Sequence, residues 1–130
     1  MNGPNYLDKL LPPNRPSRVL LRADGTAQVL DDPLSMRELA ELIDAQTVDS
    51  VLLRHLGHPL HVMIVDDHGW EFETVEVKPA HYENRPTRAL KPINAAATVL
   101  YHRNCQPGTT HEIAGDVVVV PDSDFGGVGE

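Results

Sequence analysis

Four consecutive valines, Val117–Val120, restrict the fold more than any other stretch of this chain. β-Branched side chains lose rotamer freedom in a helix but pack well on a pleated surface. An apolar run this short matches a strand covered on both faces, so it belongs at the centre of a sheet. The residues before it supply one covering element. Asn94 reads as a helix N-cap, because its side-chain oxygen can accept from an unpaired N–H of the first turn. The alanine-rich segment from Ala95 to about His102 then forms a helix at little cost in side-chain entropy. Asn104 to Gly115, with Pro107-Gly108, reads as a loop, and Gly115-Asp116 starts the valine strand.

Ser17–Arg22 and Thr26–Leu30 flank Ala23-Asp24-Gly25, and Asp-Gly between apolar runs predicts a β-hairpin. Ser35-Met36-Arg37-Glu38 fits a capping box, with Met36, Leu39, Ala40 and Ile43 at helical spacing behind it. Thr47–Arg54 returns to strand composition, and 55–59 is a turn broken by Gly57 and Pro59. Leu60–Val65 reads as a strand buried on both faces, followed by the turn Asp66-Asp67-His68-Gly69. Trp70-Glu71-Phe72-Glu73 alternates aromatic and acidic residues across one strand. Beyond Thr74 the apolar parity changes, which predicts a bulge or strand end there. Residues 78–92, with Pro79, Pro86 and Pro92, show no periodicity and read as a long connection. Residues 1–16 carry Pro4, Pro12, Pro13 and Pro16 and read as a flexible tail, although Tyr6, Leu7, Leu10 and Leu11 offer a docking surface. Residues 126–130 read as a flexible C-terminus. The expected architecture is a single α+β domain over residues 17–125, with a mixed, mostly antiparallel sheet and two helices in the order ββαβββ–loop–αβ.

Charge narrows the partner class. The formal net charge is -8, from 19 acidic and 11 basic residues, and residues 61–130 hold 11 of the acids against 5 bases. An acidic surface repels phosphate, so direct nucleic-acid binding is disfavoured. Cys105 is the single cysteine, which excludes an intramolecular disulfide and fits a reducing compartment. The N-terminal residues lack a basic region followed by an apolar core, and no apolar run reaches the roughly 20 residues of a membrane helix. A cytoplasmic protein is expected, with no membrane role, and a homo-oligomer is compatible with the sequence.

Three groups of residues bear on chemistry. His55, His58 and His61 lie three apart and offer nitrogen ligands to a divalent ion, with His68 and His81 further along. Gly57 and Pro59 forbid the helix that would align them, and the competing reading is turn histidines with local hydrogen bonds. His102, Cys105 and His111 are the parts of a thiol nucleophile and base, but a cysteine past a helix C-terminus faces a dipole that opposes thiolate formation. No catalytic residue, metal ligand or cofactor is assigned. Asp66, Asp67, Glu71 and Glu73 form a candidate acidic ridge for a basic protein partner; an ordinary solvated sheet face is the alternative. Residues 79–92 and 104–115 are natural pocket walls, where Tyr82, Arg85, Arg88, Tyr101, Arg103 and Thr109 would read an anionic, nucleotide-like ligand.

Pro92-x-Asn94-x-x-Ala97-Thr98-x-Leu100-Tyr101, followed by Gly115-Asp116-Val117, resembles a family of small proteins of bacteriophages, plasmids and bacteria grouped as a domain of unknown function. The order of the Leu39-x-x-Leu42-Ile43 helix and the Val65-x-x-x-Gly69 turn is similar too, so the likeness covers about residues 17–121. The Gly-Gly common after the first helix of that family is replaced by Asp44-Ala45, and the 104–115 segment is longer. The resemblance implies an accessory protein of a mobile element and brings no catalytic residues. The expected function is therefore non-enzymatic binding of a protein partner through an acidic surface. The alternatives are a small-ligand binder using the two long connections and a metal-dependent hydrolase using His55, His58 and His61.

Overall fold

The valine strand lies in the middle. In a computed structural model describing residues 4–104 and 111–125, β7 (Val117–Pro121) pairs antiparallel with β1 (Val19–Leu21) on one side and β4 (His61–Asp66) on the other. β2 (Ala27–Val29) adds outside β1 and β3 (Val48–Leu53) outside β4, giving the antiparallel order β2-β1-β7-β4-β3. Side chains of a strand alternate between faces, and both faces of this sheet are covered. Val19, Leu21, Met63, Val117 and Val119 pack with Leu7, Leu11, Ala97 and Leu100, from the helices α1 (Pro4–Leu10) and α3 (Ala95–Asn104) and the residue that follows α1. Leu20, Val62, Ile64, Val118 and Val120 pack on the other face with Leu39 and Ile43 of α2 (Met36–Leu42) and its C-cap. The fold is a single small α+β domain with mostly antiparallel sheets.

Local chemistry sets the element ends. Gly25 adopts φ 94 at the β1–β2 turn, where Asp24 accepts from the amide and hydroxyl of Thr26. Ser35 and Glu38 complete their capping box at 3.1 and 2.9 Å. Asn94 is fully buried and fully used. Its Oδ1 accepts from the Ala97 amide at 3.0 Å, and its Nδ2 donates to the carbonyls of Leu21 and Gly115, both at 3.0 Å. Gly115 has φ +88, and a Cβ there would sit 2.9 Å from Lys91 Cδ, so the close crossing of these segments needs glycine.

Three expectations are corrected. Residues 1–16 are not wholly a flexible tail: Pro4–Leu10 is helical, and Leu7 and Leu11 are buried. Pro4 stands at the first helical position, where its missing N–H costs nothing, and the two leucines lie one turn apart on the face that meets the core. The connection 79–92 contains β6 (His81–Ala89), paired antiparallel with β5 (Trp70–Lys78) in a second, two-stranded sheet. Almost every residue of β6 is exposed, so no buried face imposed a readable alternation. The bulge placed at Thr74 is displaced: Thr74 pairs regularly with Asn84, and the register shifts fall between Glu71 and Phe72 and between Glu76 and Lys78. The reading of 126–130 as flexible lies outside the described residues.

Asn94→Ala removes two donors to buried carbonyls together with a helix cap. It should cost about 3 kcal/mol or more, read as a lower urea midpoint with an unchanged slope; a loss under about 1 kcal/mol would contradict this role for Asn94.

Candidate functional site

The sheet face that carries α3 is not fully covered at the Asp49 end of β3. There Val51 and Val65 form the floor of an open groove of about 180 Å³, walled by Trp70, Phe72, Tyr101 and the segment His111–Ala114. Three rings run side by side along it. His111 lies 5.5 Å from Trp70, tilted 42°, and 5.8 Å from Tyr101 in an edge arrangement at 71°. The row is held by backbone: Trp70 Nε1 donates to the Glu112 carbonyl at 2.9 Å, and His102 Nε2 donates to the His111 carbonyl at 2.7 Å. The Ile113 amide donates to Thr98 Oγ1 at 2.9 Å, and Ile93 bridges to Ala114. Helix α3 thus fixes both Tyr101 and the segment facing it.

Carboxylates rim this groove. Asp49, Asp67 and Glu112 line the groove, and none of the three forms an ion pair among the described residues. Asp66 also touches it but is already committed. Its side chain is nearly buried, pairs with Lys91 Nζ at 2.6 Å and accepts from the His68 amide at 2.8 Å. Lys91 spends its other donors on the carbonyls of Ile43 and Asp44, capping α2.

The structure divides the acidic ridge read from the sequence. Asp67 faces the groove, whereas Asp66 is structural. Glu71 pairs with Arg88 at 3.3 Å, and Glu73 lies opposite Arg85, which itself bonds Glu83 at 3.0 Å. The proposed anion-reading set divides as well. Tyr101 lines the groove, Tyr82, Arg85 and Arg88 stand on the exposed β6, and Arg103 reaches Asp8 of α1 at 3.5 Å. Thr109 and Cys105 lie outside the described residues.

The rings of His55 and His61 hydrogen-bond to different partners. His61 is buried, accepts at Nε2 from the Ser17 amide at 3.0 Å and donates from Nδ1 to the Pro59 carbonyl at 2.9 Å. Both ring nitrogens are occupied, which fixes the neutral form with the proton on Nδ1. His55 accepts at Nδ1 from Asn104 at 2.8 Å, and His58 is exposed. Among the described residues no group of three His, Cys, Asp or Glu side chains is placed to hold a metal ion. Sequence reasoning missed Asp49, Glu112 and the role of His111. The signal for Asp49 was present: in Thr47–Arg54 it shares strand parity with Val51 and Leu53, a carboxylate on an apolar face.

No protein-family model, curated protein or solved structure matches this chain. Among the described residues no helix is long and apolar enough to cross a membrane.

Burial holds the pKa of His61 below its ordinary value of 6.5, and that of His55 likewise. The unfolded chain therefore takes up protons first as pH falls. Stability from these neutral rings is present above about 6.5 and declines as pH drops through that value toward the folded pKa. Urea midpoints should fall between about pH 7.5 and pH 5.5, above the main carboxylate range. His61→Gln should lower the midpoint at the higher pH and flatten the decline; an unchanged pH slope would refute the assignment.

Proposed function

We propose that this protein is a non-enzymatic, cytoplasmic accessory factor that binds a basic segment of a protein partner in the groove formed by β3, β4, β5 and α3. One observation carries the reading: three carboxylates that form no ion pair among the described residues, Asp49, Asp67 and Glu112, rim a floor of aromatic and aliphatic side chains. An ammonium or guanidinium over a ring face gains about 0.5–2 kcal/mol, and its aliphatic stem covers apolar surface that water would otherwise meet. The net charge of -8 draws such a segment in from a distance.

The rival small-ligand reading has less support, because its arginines are spread over β6 and α3 and face Glu71, Glu83 and Asp8. The metal-hydrolase reading has less again, with the ring nitrogens of His61 both bonded. An accessory role in a phage or plasmid rests on the sequence resemblance over about residues 17–121.

Trp70 is the only tryptophan, so its fluorescence reports on the groove. Titration with hexalysine should give a saturable change that weakens as salt rises to roughly 0.3 M, while hexaglutamate gives none. The double substitution Asp67→Asn with Glu112→Gln should weaken binding by about tenfold, corresponding to about 1.4 kcal/mol. No response to hexalysine, or a response the double substitution leaves intact, would overturn the proposal.

A further inference from the structure

β3 is an edge strand. It pairs with β4 from Val48↔Asp66 to Leu53↔His61, and no described strand lies on its other side. The Ser50 amide donates to Asp49 Oδ1 at 2.8 Å, so the polar edge of Ser50 points away from β4. Antiparallel pairing alternates residue by residue, which turns Val48 and Leu52 outward in the same way. A charged side chain folded over an outward amide is one of the ways proteins blunt an edge against unwanted pairing. Here the blunting residue also lines the groove. Asp49 and Val51 share the groove face, and Val65 lies across from Asp49 on β4.

We propose that a cationic segment in extended conformation adds to the sheet along β3. This deepens the groove reading above and depends on it. A backbone carbonyl of the segment takes the Ser50 N–H, and the released Asp49 carboxylate pairs with a lysine or arginine side chain of the same segment. Side chains of the added strand alternate as those of β3 do. A cation across from Asp49 therefore puts the next groove-facing side chain, two residues away, across from Val51 and toward Tyr101 and Ile113. The motif selected is a basic residue, any residue, then an apolar one. Charge complementarity names the occupant: among the described residues the groove offers three carboxylates without ion pairs beside an edge that no strand covers, and a cationic strand satisfies both at once. Main-chain bonds then supply affinity and the two side chains supply specificity.

The test uses the full chain and three eight-residue peptides of alternating lysine and valine separated by serine. One is unmodified, one is N-methylated at the serines, and one is N-methylated at the groove-facing residues. Charge and side chains are the same in all. The unmodified peptide should bind with Trp70 as reporter, and one methylated set should lose about tenfold or more while the other is nearly unaffected. Asp49→Asn, which keeps an acceptor for Ser50 but no charge, should weaken the unmodified peptide several-fold. Equal binding by all three peptides would overturn strand addition and leave the groove reading standing; no binding by any would overturn both. Light scattering showing a dimer of the free protein that Asp49→Lys dissociates would assign the edge to a second copy and also overturn the proposal.

Discussion

The buried side chain of Asn94 joins elements that are far apart in the sequence. Its amide group donates to the last residue of β1 and to Gly115 just ahead of β7, while its oxygen starts α3. Its own backbone N–H reaches the Ile113 carbonyl at 2.8 Å. A polar group so placed is costly unless every partner is present, and here every partner is present. The consequence reaches the groove, because the position of α3 fixes Tyr101, and the bond to Ile113 fixes the wall that carries His111 and Glu112. The groove is thus positioned by the residue that also closes the core.

Charge is distributed with a clear division of labour. Asp124 receives Arg18 in two hydrogen bonds at 2.7 and 2.6 Å, which raises the pKa of the guanidinium and ties β1 to the residues after β7. Asp66 receives Lys91, and Asp116 accepts from the Ala23 amide at 2.9 Å. These acids are structural. On the β5–β6 ribbon, glutamates face arginines at exposed positions, where each pair contributes at most about 1 kcal/mol and leaves little net field. Among the described residues, what remains without an ion pair around the groove is Asp49, Asp67 and Glu112. A count of acids along the sequence cannot make this distinction, since it treats the carboxylate that caps a turn and the one that lines the groove alike.

Elements with a local chemical signature were legible. The valine run is the central strand, Asp24-Gly25 makes the hairpin turn, Ser35 and Glu38 close their box, and Asn94 caps α3. Those whose signature depends on tertiary context were not. α1 is short, opens on Pro4 and is followed by Pro12 and Pro13, and takes its stability from Leu7 and Leu11 entering a core assembled elsewhere. β6 is exposed on both faces, so its pairing with β5 rather than any burial pattern defines it. The groove was half visible. Asp67 and Tyr101 were singled out for two different purposes, and only the crossing of α3 over β3 brings them to one place.

In the proposed binding mode a basic segment docks where the Ser50 edge meets the aromatic row. Amide-resolved NMR of the protein titrated with an extended lysine-rich peptide tests it most directly. The largest shifts are expected at the Ser50 amide and the Trp70 indole, with slowed hydrogen exchange at Ser50, while amides of β2 on the far edge of the sheet stay unchanged. Perturbations centred instead on Glu71, Glu73 and the arginines opposite them, with Ser50 unmoved, would contradict it.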